Sequence, residues 1–179
     1  MTELATLIAL LETSGRTFVD SYQGLSDIQF RFKPAPDRWS IAENVEHLAV
    51  AEIGSGKLMQ GKLTREAPAP EVLAATAGAH ERIAQRLPNR ERKASAPEFV
   101  QPTGRWATAE EMTAAFEESR AAMIAFLRTT TIDLTKFAVP HPLLGPLNGH
   151  QWAHVTALHA LRHAAQIAEV RAASGFPSR

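Results

Sequence analysis

The segment 148–177, NGHQWAHVTALHALRHAAQIAEVRAASGFP, decides the fold. It is long, rich in alanine and leucine, and free of proline until it ends. Gly175 followed by Pro177 is a helix stop. A helix from near Asn148 to Ser174 follows. Within it His159 and His163 stand four positions apart, which puts them on one face about 6 Å apart along the axis. Trp152 and Val155 lie on that face in the preceding turns, and Gln166 and Val170 continue it. Trp152 and Val155 require burial, so the histidine face turns inward. His150 and His154 point elsewhere. His154 is five positions before His159, a rotation of about 140° away from it.

One helix with an inward stripe needs partners. Residues 2 to about 23 supply the first, with Leu4, Leu7, Ile8, Leu11, Phe18 and Tyr22 at helical spacing. FRFKPAPDRW (30–39) is a loop, because two prolines and an aspartate interrupt any helix. The second helix starts at SIAE, where Ser40 and Glu43 form a capping box, and runs to about Lys62. The third starts at TAEE, with Thr108 and Glu111 as its box, and fades at RTTTIDL, a β-branched run. Residues 64–107 hold five prolines and read as a crossover with one short helix, its RERKAS stretch solvated. FAVPHPLLGPL (137–147) reads as a loop. With no convincing strand, the expectation is an all-α four-helix bundle forming a single domain over 1–179.

Composition narrows the function. Nineteen basic residues balance nineteen acidic ones, so the chain lacks the surplus charge of a nucleic-acid binder. There is no cysteine, which removes disulfides, Cys-ligated zinc and a thiol nucleophile together. The N-terminal stretch has no basic n-region and reads as helix, not as a signal peptide. No apolar run reaches 18 residues, so no membrane span and a cytoplasmic location are expected. Neither a P-loop, nor GxGxxG, nor GxSxG occurs.

Two buried imidazoles need partners, since each carries a donor and an acceptor. A pair at i, i+4 can share a metal ion, although such pairs also occur as plain surface residues. His47, on the second helix, is the natural third ligand. Three histidines would leave a coordination position open to water or substrate. Glu43 could orient His47, but its capping box already accounts for it. Gln166 could contact a bound water or fill a polar core position. Arg162 could meet an anionic substrate at the rim or form a surface ion pair. Trp39, before the Ser40 cap, reads as a hydrophobic staple, and Trp106 as the same device before Thr108.

KPAPDRWSIAENVEHL (33–48), PTGRWATAEEM (102–112) and HPLLGPLNGHQWAHVTALHALRHAAQI (141–167) together resemble the DinB-like, YfiT-like superfamily, in the right order. The resemblance implies an up-up-down-down-like four-helix bundle with a divalent metal near one end, commonly zinc or nickel. It implies the ligands His47, His159 and His163. It also implies homodimers, and a metal-dependent transferase or isomerase that uses a low-molecular-weight thiol such as bacillithiol, mycothiol or glutathione, with S-transfer onto an electrophile as the expected reaction. Hydrolysis by activated water, a non-catalytic metal-binding stress protein, and a metal-free helical binding module are the alternatives.

Overall fold

The computed structural model describes residues 3–62, 68–90 and 95–178. Four long helices dominate it: α1 (Glu3–Asp20), α3 (Ile41–Lys57), α6 (Ala109–Thr129) and α7 (Gly149–Arg171). The shorter α2 (Asp27–Arg31), α4 (Pro70–Ala74) and α5 (Ala79–Arg86) lie in the connections. The expected four-helix bundle is present. Its packed pairs are α1 with α7, α7 with α3, α3 with α6, and α6 with α1. So α1 and α3, though consecutive long helices, are not among the closely packed pairs.

Both expected capping boxes form. The Ser40 hydroxyl accepts from the Glu43 amide while the Glu43 carboxylate accepts from the Ser40 amide, and Thr108 and Glu111 repeat the pattern. Helix α7 has a third, in which Asn148 and Gln151 replace the Ser and Glu of the usual pair. Gly175 takes a positive φ of 81° beyond the last helical residue, a conformation that costs glycine little.

Three expectations are corrected. The crossover carries two short helices, α4 and α5, where one was expected. The loop at 30–39 begins inside α2, which Ser26 and Gln29 cap. And 137–147 is not all loop: β1 (Ala138–His141) pairs antiparallel with β2 (Gly145–Asn148). Pro140 faces Pro146 in this hairpin, and neither can donate to a ladder. Two strands alone are marginal in water. Trp152 on α7 holds the hairpin by donating its indole N–H to the Val139 carbonyl at 3.2 Å. Most of the charged stretch 90–95 lies outside the described residues.

The apolar core falls into two clusters. One gathers Leu11, Met59, Ile83, Met123, Leu147 and Trp152. The other gathers Phe18, Phe30, Ile41, Leu48, Phe116 and Ile167. Between them lies a buried polar layer of Ser14, Glu52, Arg120 and Thr156, one residue from each long helix. No helix among the described residues is long and apolar enough to cross a membrane.

Candidate metal centre

Helix α3 presents His47 two turns past its Ser40 cap, and α7 presents His159 and His163 on successive turns. The three rings meet. One ring nitrogen of each lies within 4.8 Å of the others, the only such group of three histidine or acidic side chains among the described residues. His47 and His163 are buried and His159 is partly so.

The outer edges of two rings are tied to backbone and side chain. His47 Nδ1–H donates to the Val100 carbonyl at 2.8 Å. His163 Nδ1–H donates to Asn44 Oδ1, also at 2.8 Å. Asn44 is oriented in turn, because its Nδ2 donates to the Ser40 carbonyl at 2.8 Å. A carbonyl oxygen only accepts, so both Nδ1 atoms carry the proton. Each neutral ring then keeps a bare Nε2.

Those bare nitrogens both face His159. Its Nε2 lies 3.4 Å from that of His47 and 3.0 Å from that of His163. His159 has at most one Nε2 proton to give, so at least one lone pair faces the centre unmet. A cation answers this surplus of acceptors. Two imidazole nitrogens on one tetrahedral zinc stand about 3.3 Å apart, given Zn–N of about 2.0–2.1 Å. The donor set therefore fits a divalent ion.

Electrostatics keeps the rings neutral, the form that ligates a metal. Burial pushes His47 below its ordinary pKa, against a smaller opposing effect of the Val100 hydrogen bond. Burial pushes His159 and His163 well below theirs, helped by the other histidines and by nearby arginines.

Residues around the triad take roles that the sequence disguises. Trp39 is more than a staple: its ring sits 4.9 Å from His47 and stacks at 6.3 Å and 18° on His163. Glu43 caps α3 and pairs with Lys33, and the Val100 carbonyl takes the orienting role on His47. Arg162 donates to the Leu87 and Asn89 carbonyls and so anchors the crossover to α7. Gln166 keeps a buried Oε1 with no hydrogen-bond partner. His154 turns away from the triad, toward His80.

Sequence reasoning places Asn44 on the ridge of His47 but assigns it no role, and it misses Glu46. Glu46 is 3% exposed and accepts from the amides of Thr103, Gly104 and Arg105 at 2.7, 2.9 and 3.1 Å. It thereby fixes the loop just after Val100, whose carbonyl holds His47. The available signal was ENVEH itself: Asn44 lies three residues before His47 on the helix, and Glu46 stands directly beside His47 in sequence.

Comparison with known proteins bears on the fold and the family. The uncharacterized protein YuaE of Bacillus subtilis (strain 168) is 24% identical over 149 residues, 83% of this chain and 87% of that protein. The solved structure of YfiT from Bacillus subtilis superposes with a TM-score of 0.69 at 20% identity, covering 97% of this chain and 89% of that one. It is described as a probable metal-dependent hydrolase with an unusual four-helix bundle topology. The family pattern of the DinB superfamily matches residues 10–167, and the chain belongs to that superfamily.

Proposed function

We propose that the protein is a metal-dependent enzyme whose His47, His159 and His163 hold one divalent ion, zinc or nickel, and that it transfers a low-molecular-weight thiol to an electrophile. The observation that carries this is the convergence of bare imidazole nitrogens on one point, with no fourth histidine or acidic ligand in the group among the described residues. A structural zinc site closes its shell with four protein ligands, whereas a catalytic one keeps a position open. An ion held there would lower the pKa of a thiol or water at its open position and so supply a nucleophile at neutral pH.

The chain's own residues do the rest. Val100 and Asn44 fix the tautomers of His47 and His163. Trp39 covers two of the rings and limits water on that side. The absence of cysteine leaves no internal thiol to compete for the open position. The reading carries a cytoplasmic location, where such thiols stay reduced. It also carries a homodimer, which light scattering in solution checks.

Hydrolysis is the second reading, favoured by the description of YfiT. One experiment separates the two. Untagged protein is loaded with cobalt(II) and mixed with glutathione and monobromobimane. Thiol transfer requires metal-dependent conjugation and a thiol-induced change in the cobalt visible spectrum. Metal-dependent ester cleavage with a spectrum indifferent to thiols would replace transfer by hydrolysis. A stripped protein that takes up no ion at the triad would end both.

A further inference from the structure

Three of the remaining histidines gather away from the triad. His80, at the start of α5, sets its Nδ1 3.3 Å from Nδ1 of His154 on α7. Its other nitrogen, Nε2, lies 3.5 Å from Glu3 Oε1 on α1. The same carboxylate oxygen lies 3.6 Å from His150 Nδ1, a buried atom with no hydrogen-bond partner. A surface cavity of about 330 Å³ opens here, lined by Glu3, Thr6, Leu7, Leu10, His80 and His154. Along α7, His150 and His154 repeat the four-residue spacing of His159 and His163.

Two Nδ1 atoms that meet at this distance share either a proton or a cation. The Glu3 carboxylate beside Nε2 of His80 favours the proton on that nitrogen, and this bares Nδ1. The 3.3 Å separation matches two imidazoles on one tetrahedral zinc, about 3.3 Å by the bond lengths of such sites. Burial, reinforced by His80, lowers the proton affinity of His154, so its ring is neutral near neutral pH. Leu7 and Leu10 are the apolar part of the cavity wall, beside Glu3, Thr6 and the two histidines.

We infer that His80 and His154 form a second divalent-metal site, in which solvent completes the coordination and Glu3 orients His80 through its Nε2. Imidazole donors select zinc, nickel or copper. With two protein donors it binds more weakly than the triad. The ion joins α5 to α7 and so pins the crossover to the bundle. The inference stands independently of the proposed activity.

The test is metal titration of the untagged full chain, stripped and then supplied with nickel(II), followed by calorimetry. Two equivalents per chain are expected, a tight one and a weaker one. His47→Ala/His163→Ala removes the tight equivalent and spares the weak one, and His80→Ala/His154→Ala does the reverse. Glu3→Gln weakens only the second, by about tenfold, the usual cost of losing an orienting carboxylate. A second readout guards against misfolding. In the His47→Ala/His163→Ala protein, nickel still raises the melting temperature, and adding His154→Gln cancels the rise. A single equivalent in the wild-type chain, or an unchanged titration in His80→Ala/His154→Ala, overturns the inference and leaves a neutral histidine–histidine hydrogen bond. Loss of the tight equivalent alone would count against the triad and not against this site.

Discussion

Asn44 decides which nitrogen His163 offers. Its Oδ1 holds the Nδ1 proton, and its own amide is locked by the Ser40 carbonyl. Asn44→Ala frees the ring to turn and to exchange tautomers. Metal affinity should then fall about 10- to 100-fold, as for other orienting partners of metal-bound histidines. Competition against a chromogenic chelator measures this, and unchanged affinity would show that Asn44 does not orient the ring. His141 makes a different point. Its ring lies 5.0 Å from Trp152, and burial lowers its pKa from 6.5 to about 4. Between those values the unfolded chain binds a proton that the folded chain refuses. Stability is therefore complete above about pH 6.5 and declines as pH falls toward about 4. The triad rings, lowered by the same burial, act in the same direction. The melting temperature of metal-free protein should drop from about pH 7 to about pH 5, and His141→Gln should flatten part of that slope. The histidine pair was legible in the sequence because period and residue type coincide. Val100 was not, because a backbone carbonyl leaves no trace in residue identity.

Helix α3 shows how one element serves both fold and site. Its Ser40–Glu43 cap sets the start, Asn44 and His47 face α7, and Glu46 faces the loop after Val100. Glu46→Gln weakens three amide contacts and the Arg105 ion pair at 3.2 Å. Amides 103–105 should exchange faster with deuterium. Metal affinity should drop by about tenfold, because the Val100 carbonyl loses its support. Protection at those amides equal to wild type would mean the loop is held by something else. The elements that escaped sequence reading share a physical cause. Helices α2 and α4 have five residues each, fewer than two turns, so no periodicity accumulates. The β-hairpin places a proline in each four-residue strand, and proline ordinarily argues against a strand. It forms because Trp152, in the first turn of α7, holds it, a tertiary influence that no local pattern carries.

The bundle is stitched by one side chain. Arg120 on α6 pairs with Glu52 of α3, donates to the Leu11 carbonyl at 2.5 Å and Ser14 Oγ at 3.0 Å on α1, and reaches the Thr156 carbonyl of α7 at 3.5 Å. Gly15 lies against this side chain, where a β-carbon would make van der Waals contact with the guanidinium at 3.4 Å. Neither Arg120 nor Glu52 announces this in sequence. Glu52 reads as one member of a mostly apolar ridge, and its partner is 68 residues away. Burial raises the Glu52 pKa, and the Coulombic pull of Arg120 opposes that rise. A buried pair of this kind contributes little net stability compared with apolar residues, yet breaking it by halves is costly. Arg120→Ala strands the Glu52 carboxylate among hydrophobic clusters and leaves Ser14 and two carbonyls short of a donor. The expected loss is about 3–5 kcal/mol in urea unfolding. Arg120→Met/Glu52→Leu removes both charges at once and should recover most of it. The double variant also separates fold from site, because neither residue belongs to the histidine triad. If it regains stability and takes up metal with wild-type affinity, the polar layer serves to align the helices, and the histidines alone carry the ion. If it regains stability but loses the metal, the four-way contact of Arg120 is what brings α3 and α7 into the register that the triad needs.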